Sequence, residues 1–391
     1  MNVWIQNPFD NLPLEGYRKQ RFWLMAEAFV RAGHRVVLWT SDFNHMTKAK
    51  RLCSNGQADR IDLRLIPTRP YRRNVGLERL GSHRAYAREW ERLALGLTCD
   101  VSCPLARPDL IVASTPTVSG AETAIRLGRT FGAKVVVDVM DAWPETFERL
   151  APKGFGWAAH LVLSRLRRRA QSVYRAADFV TGVCERYRSL TGRSDYHLAY
   201  HGIELPPLSE PQTPLSNSRR PRLVYAGNLG RTYDLGTVIR GVEELGARLD
   251  VAGRGPCESE WRELVRDLGL ETQVSFHGYL GERELGALLR SCDIGVVPMP
   301  TESFVGVPYK FADYVAAGLA IVSSLGGESA ELLGRFRCGA GYRPNDVMGF
   351  VAAVRRVQTE GRGDVAGLRR LFNAVRIYDE YVQTVCEATA S

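Results

Sequence analysis

The feature that most constrains this chain is a strand–helix alternation that runs twice, broken once by a proline- and serine-rich stretch. Residues 2–6 (NVWIQ) read as a short strand. A helix is expected over 18–32, with Phe22, Met25, Ala26 and Phe29 on one face. Gly33 suits its C-terminal cap, and 34–40 reads as the next strand. Two strands joined by a helix make the βαβ unit of a parallel sheet. The rhythm returns with strands at 109–113, 134–138 and 179–183 and a helix over 119–131. Residues 206–221 (PPLSEPQTPLSNSRRP) lack periodicity and read as a linker. Strands then recur at 222–226, 248–252, 274–277, 294–298 and 319–323, with helices at 235–245, 258–268, 282–291 and 309–317. The stretch 346–388 is helical by pattern, including 351–357 and 371–385. The fold class is therefore α/β, with two doubly wound domains. Ligands in such sheets bind beyond the carboxyl ends of the strands, and two sheets facing each other make a cleft.

A length of 391 residues fits two domains. With 45% hydrophobic and 24% charged residues, the chain has the apolar content to bury two cores, which excludes a disordered polymer. No apolar run reaches the roughly 18–20 residues needed to span a bilayer. Residues 1–10 lack a basic-then-apolar leader pattern, so a cytoplasmic protein is expected. The eight cysteines are scattered without a Cys-x-x-Cys pair, which predicts incidental thiols and no zinc site. Charge is uneven. Residues 1–200 carry 31 Lys and Arg against 19 Asp and Glu, and the remaining 191 carry 21 against 24. A basic face of this kind meets nucleic acid, an anionic membrane or a phosphorylated substrate.

The segment 301–328 (TESFVGVPYKFADYVAAGLAIVSSLGGE) carries the most chemistry. Glu302 follows a strand end, Gly306 and Pro308 sit in a loop, and a helix begins near Pro308. A helix start offers backbone N–H groups and a positive dipole end to a diphosphate. Gly306 lets backbone approach a ligand closely. Lys310, in the first turn, can meet phosphate oxygens. Asp313, one turn on, shares its face and can accept hydroxyl hydrogen bonds. A solvated Glu302 and a local pairing of Lys310 are the competing reading.

The run from Glu302 through Pro308, Lys310 and Asp313 to Gly318 resembles the donor-binding signature of the family 4 glycosyltransferases. These are retaining, nucleotide-sugar-dependent enzymes of the GT-B fold. Tyr225-Ala-Gly-Asn-Leu-Gly230, Val251-Ala-Gly-Arg-Gly-Pro256, Val274-Ser-Phe-His-Gly-Tyr279 and Cys292-Asp-Ile-Gly-Val-Val-Pro298 fit the same pattern in order. So do Gly16, Gly33-His34-Arg-Val, Asp138-Val-Met-Asp141-Ala-Trp143-Pro144-Glu145 and the segment starting at His201. The resemblance runs from about residue 2 to about 385. One departure is that the position eight residues after Glu302 is Lys310 rather than a second glutamate, and Asp313 takes the place of that acid. The Arg and Lys usual in the first donor-domain loop are replaced by Asn228 and Tyr233.

The resemblance implies two Rossmann-like domains facing across a cleft: an acceptor domain over 1–205, a linker over 206–221, a donor domain over 222–370, and a terminal helix over 371–391 that crosses back to the first domain. It implies a hexosyltransferase that moves a sugar from a nucleoside diphosphate to a hydroxyl acceptor, such as a lipid-linked glycan in surface polysaccharide synthesis. Glu302 and Asp141 are the implied catalytic acids. Donor contacts fall to Asn228, Arg231, Arg254, Phe304, Val305, Gly306, Lys310 and Asp313, with the backbone N–H groups of 304–306 on the sugar and diphosphate. Arg231, Arg254 and Lys310 are alternative holders of the diphosphate charge. Gly16, Arg18, Lys19 and Glu145 are the acceptor candidates, and Arg18 and Lys19 fall at the expected helix start. For Asp141, capping the turn before Trp143 is the rival role. His83, His160 and His201 read as isolated. No Asp-x-Asp occurs, so neither a metal nor another cofactor is expected.

Two basic stretches, 69–88 with Tyr71 and Tyr86 interleaved and 157–169 with Trp157, Leu161 and Val162 beside arginines, suit a membrane-surface contact or a solvated helix face. With no nucleic-acid-binding motif, nucleic acid is not an expected partner. A nucleotide-sugar 2-epimerase of the same architecture and a nonenzymatic sugar- or nucleotide-binding protein are the rival functions. A nicotinamide oxidoreductase is disfavoured, because no Gly-x-Gly-x-x-Gly follows an early strand.

Overall fold

A computed structural model describes residues 1–72, 76–98, 104–145, 156–205, 215, 220–300 and 303–390. It divides into two compact units, Met1–Gly202 with Val375–Ser391, and Ile203–Ala374.

In the first unit the strands are β1 (Asn2–Gln6), β2 (Arg35–Ser41), β3 (Phe43–Asn44), β4 (Ala49–Lys50), β5 (Gly56–Ala58), β6 (Ile61–Ile66), β7 (Leu110–Thr115), β8 (Lys134–Val139), β9 (Phe179–Gly182) and β10 (Tyr196–Leu198). The helices are α1 (Arg21–Arg31), α2 (Leu77–Thr98), α3 (Val118–Phe131), α4 (Gly156–Ala176) and α5 (Arg186–Thr191). The sheet runs β10-β9-β8-β7-β1-β2-β6-β5, with β3 and β4 forming a separate antiparallel hairpin. Every pairing in the large sheet is parallel except β5 with β6. Strands such as β7 (LIVAST) are buried along their whole length. Apolar residues therefore need no alternation there, because helices cover both faces. The chain reverses its direction of winding between β1 and β7.

The second unit holds β11 (Arg222–Ala226), β12 (Arg248–Ala252), β13 (Val274–Gly278), β14 (Ile294–Val297), β15 (Ala320–Ser323) and β16 (Gly339–Gly341). Its helices are α6 (Leu235–Leu245), α7 (Glu258–Asp267), α8 (Glu282–Arg290), α9 (Tyr309–Ala316), α10 (Glu328–Phe336), α11 (Val347–Glu360) and α12 (Val365–Leu371). The all-parallel order β13-β12-β11-β14-β15-β16 is that of a dinucleotide-binding sheet, with its switch point between β11 and β14. Leu223, Val251, Ile294 and Val296 from the strands pack with Val238, Ile239, Trp261 and Phe350 from the helices.

The stretch expected to be helical over 346–388 holds α11, α12 and a last helix that takes up the one expected over 371–385. The α12 helix stops at Leu371, and α13 (Ala374–Thr389) starts after a break at Asn373, which bridges to Ile203. Ile203 N–H donates to Phe372 O at 2.9 Å and Ala374 N–H to Ile203 O at 3.0 Å, so these backbone bonds replace helical ones. From Val375 onward α13 belongs to the first unit.

There α13 covers an ion pair. Arg21 opens α1 and reaches Asp138 of β8 through Nε at 2.8 Å and Nη2 at 2.7 Å, with neither side chain exposed. Arg21 Nη1 donates to Ala199 O and Tyr200 O, and Thr181 Oγ1 donates to Asp138. The ring of Tyr378 lies 5.7 Å from the guanidinium, and Tyr381 is fully buried beside Thr181. Asp138 is thus part of the core, apart from Asp141 and Glu145. A bidentate pair with its remaining valences filled can offset the desolvation of two charges, and removing one partner is severe.

Candidate functional site

In the second unit the strand ends β11, β12 and β14 converge with the start of α9. The loop after β11 is held to the one after β12: Gly227 N–H donates to Ala252 O at 2.9 Å, and Leu229 N–H to Arg254 O at 3.0 Å. Gly253 takes φ +143°, and a Cβ there would lie 1.8 Å from Gly227 O. Only glycine lets these two loops touch.

Lys310 enters this junction from the first turn of α9. Its side chain is buried, yet its partners are a hydroxyl and two rings. Nζ donates to Tyr225 Oη at 3.1 Å and lies 4.2 Å and 3.8 Å from the ring centroids of Tyr225 and Tyr233. A Cβ on Gly227 would come within 3.1 Å of the ammonium, so that residue too must be small. Burial pushes the Lys310 ammonium down from 10.5 to about 7, against the weaker pull of Asp313. An ammonium held in this way is a strong site for an anion, since ring faces and one hydroxyl do not neutralise it.

The other donor candidates surround it unevenly. Asn228 is exposed at the loop tip, with its carbonyl accepting from Tyr225 Oη at 2.6 Å. Arg231 is exposed on the same loop, and the Arg254 side chain lies near Gly278. Phe304 and Val305 are half-buried and Gly306 is buried, with Gly306 O accepting from Ser329. The Val305 N–H donates to Ser303 Oγ at 3.2 Å in this structure. Glu302 lies outside the described residues.

In the first unit Asp141 is half-buried just past β8, and its carbonyl accepts from Trp143 N–H at 2.8 Å, beside a cis Trp143–Pro144 bond. One acceptor-side expectation is revised, the helix start at Arg18 and Lys19. Glu145 accepts from Arg167 Nε of α4 at 3.0 Å. Lys19 pairs with Glu27 at 3.0 Å. Arg18 and Lys19 precede α1, because the chain stays extended through Gln20. Gly16 ends a short 3-10 turn over Pro13–Glu15 with φ 79°, the left-handed form that favours glycine.

Residues 19–197 match the model of the glycosyl transferase 4-like domain, and residues 220–360 match that of the glycosyl transferases group 1. The chain belongs to the group 1 glycosyltransferases. This glycosyltransferase is 26% identical over 162 residues to the putative colanic acid biosynthesis glycosyltransferase WcaL of Escherichia coli (strain K12). The match spans 39% of each chain, so it takes in about two fifths of the relative's length. Its fold is that of sucrose-phosphate synthase from Thermosynechococcus elongatus (TM-score 0.73, 14% identity, 99% of both chains). It is similarly shared with Anabaena Alr3699/HepE in complex with UDP and glucose (TM-score 0.65, 13% identity, 98% and 99% of the two chains). The enzyme is thus a glycosyltransferase of GT-B fold.

Sequence reasoning missed one group of residues in this glycosyltransferase. His83 is not isolated. It packs with Phe9, His45, Tyr71 and Arg79 around the β3–β4 hairpin and the start of α2. The basic run 69–88 is correspondingly not a simple surface face, because Tyr71 and Tyr86 are buried. The run at 157–169 falls partly on side chains outside the described residues, as does His160, and Arg167 and Arg169 are engaged by Glu145 and Glu122. His201 is buried, with its imidazole held well below its usual range by burial and by the charges of Arg21 and Arg18. Among the described residues no helix is long and apolar enough to cross a membrane, and no cluster of His, Cys, Asp or Glu is arranged to hold a metal ion.

Proposed function

We propose that this enzyme transfers a hexose from a nucleoside diphosphate sugar, with retention, to a hydroxyl of a lipid-linked glycan in surface polysaccharide assembly, without a metal ion. The observation that carries the donor reading is Lys310, buried among Tyr225, Tyr233 and the Gly227 backbone at the switch point of its sheet.

As the glycosidic bond breaks, positive charge grows on the sugar and negative charge on the departing diphosphate. The Lys310 ammonium and the start of α9 stabilise that leaving charge. The departing phosphate oxygen takes the proton of the acceptor hydroxyl while that hydroxyl bonds to the anomeric carbon on the same face. The products are a nucleoside diphosphate and a glycoside with its configuration kept. Glu302 holds sugar hydroxyls, Asp313 holds ribose hydroxyls, and Asp141 orients the acceptor. HepE, named with UDP and glucose, supports uridine nucleotides as the first to try, and WcaL supports an exopolysaccharide product.

The test is a thermal-shift panel of UDP-, GDP- and TDP-sugars, because a ligand of the native state raises its melting temperature. One nucleotide should raise it in the wild type, and Lys310→Ala and Asp313→Ala should lose the shift. A shift unchanged in both variants overturns the donor site. An epimer formed from donor alone would replace transfer by epimerisation.

A further inference from the structure

We propose that the layer of helices α2, α3 and α4 on the first unit is a docking surface for an anionic lipid bilayer, engaged through Arg84, Arg88, Arg129, Arg165, Arg168 and Arg175. This deepens the proposed function by naming a partner, and only its link to a lipid-linked acceptor rests on that reading.

The charge is concentrated. Helices α2, α3 and α4 carry four, two and five arginines and no lysine, against three, one and no acidic residues. The seven helices α6–α12 of the second unit carry 11 Lys and Arg against 12 Asp and Glu. The basic excess is therefore gathered on three neighbouring helices rather than spread over the molecule.

Ion pairs between these helices use up the acids. Arg126 of α3 donates twice to Glu91 of α2, each time at 2.8 Å, and Arg169 of α4 pairs with Glu122 of α3. Glu89 takes Arg92, and the remaining acid, Glu78, is in the first turn of α2. The six arginines named above are all exposed, and among the described residues none of them has a carboxylate partner. They lie in stripes. On α2, Arg84, Arg88 and Arg92 recur every four residues, and Leu95, 42% exposed, continues that face. On α4, Arg165, Arg168 and Arg175 share a face with the exposed Ser172. Arg129 is on α3, which pairs with both neighbours.

Guanidinium forks match phosphate oxygens, and a set fixed on rigid helices suits a surface that presents many phosphates. An anionic leaflet attracts such a layer without being crossed. A single-stranded nucleic acid would need rings to stack on. Among the described residues, the large apolar side chains exposed on the first unit are Met1, Leu14, Met46, Leu52 and Leu95, and none is a ring.

The stripes also pass the rim where the strands end. His83, next to Arg84, packs on Phe9 and Trp143, and Arg167 of α4 meets Glu145. Phe9 follows β1, while Trp143 and Glu145 follow β8 together with Asp141. A bilayer against this layer holds a lipid diphosphate beside that rim.

The experiment is vesicle flotation of the full chain. The wild type should float with vesicles of phosphatidylglycerol and phosphatidylcholine at low salt, be released by high salt, and ignore phosphatidylcholine alone. Arg165→Gln/Arg168→Gln/Arg175→Gln should weaken the partition about a hundredfold, at about fivefold per arginine. Arg84→Gln/Arg88→Gln should weaken it less. All five positions are exposed, so melting temperatures should stay unchanged. Arg248→Gln/Arg266→Gln/Arg355→Gln removes the same charge from exposed positions of the second unit and should float as the wild type does. No flotation of the wild type, or equal losses in the two triple variants, overturns the docking surface. Binding of single-stranded RNA that the α4 variant loses, without flotation, replaces the lipid by nucleic acid. Transfer assays then test the acceptor link. The α4 variant should be slower on a lipid-linked glycan in vesicles and as fast as the wild type on the same glycan carried by a short soluble chain. Equal slowing on both would overturn that link. Flotation decides the docking surface whether or not transfer is observed.

Discussion

Arg21 and Lys310 are equally hidden cations with opposite surroundings. Arg21 meets Asp138 through two hydrogen bonds, gives a third N–H to backbone carbonyls and lies under Tyr378. Lys310 has a tyrosine hydroxyl and two ring faces. Both incur desolvation, but only Arg21 recovers it inside the folded chain. A compensated charge serves the architecture. An under-compensated one is held ready for a negative ligand, at the expense of the empty protein.

The comparison can be broken by substitution. The largest effect is expected from Asp138→Ala, which strands the Arg21 charge in the core. It should cost about 3–5 kcal/mol, read as a lower urea midpoint. Lys310→Met should act in the opposite sense on the fold, raising the melting temperature by ~3 °C, while nucleotide-sugar affinity falls by about a hundredfold. If Lys310→Met destabilised the empty protein, the lysine would be structural and the contrast would fail.

A subtler effect is in protons. The folded-state pKa of Lys310, about 7, lies below its unfolded value of 10.5. The folded chain therefore binds fewer protons between those values. Through this group stability rises as pH climbs from 7 to 10.5, and the penalty is complete below 7. A bound diphosphate raises the pKa again. Calorimetry in buffers of different ionisation enthalpy should then show an uptake approaching ~1 proton per nucleotide at pH 8–9, vanishing near pH 6. The smallest effect is expected from Glu145→Ala, which frees the part-exposed Arg167. It should shift stability by no more than ~1 kcal/mol and leave acceptor KM unchanged.

What could be read in the sequence follows the range of the interactions. The βαβ rhythm is local, so both sheets were legible, and Lys310 and Asp313 share one helical turn. The partners of Lys310 were harder, because Tyr225 and Tyr233 lie about eighty residues away and look like ordinary core aromatics. The first-unit cluster was illegible for the same reason. Phe9, His45, Lys48, Tyr71, Arg79 and His83 come from three loops and a helix, and no window shows them together. Arg79 read as one more charge in a basic run, and the pairing of Glu145 with Arg167 was hidden because the two meet only in the folded chain. The break at 372–373 was hidden because apolar spacing continues through it, while backbone pairing with Ile203 decides it.

The return of α13 to the first unit separates the order of synthesis from the order of completion. Residues 1–202 leave the ribosome first, yet Tyr378 and Tyr381 emerge after the whole of 203–374. The later-made unit can therefore close while its predecessor still waits for a lid over Arg21. A chain arrested at residue 374 would leave that arginine open to water, and protease would find the earlier half before the later one.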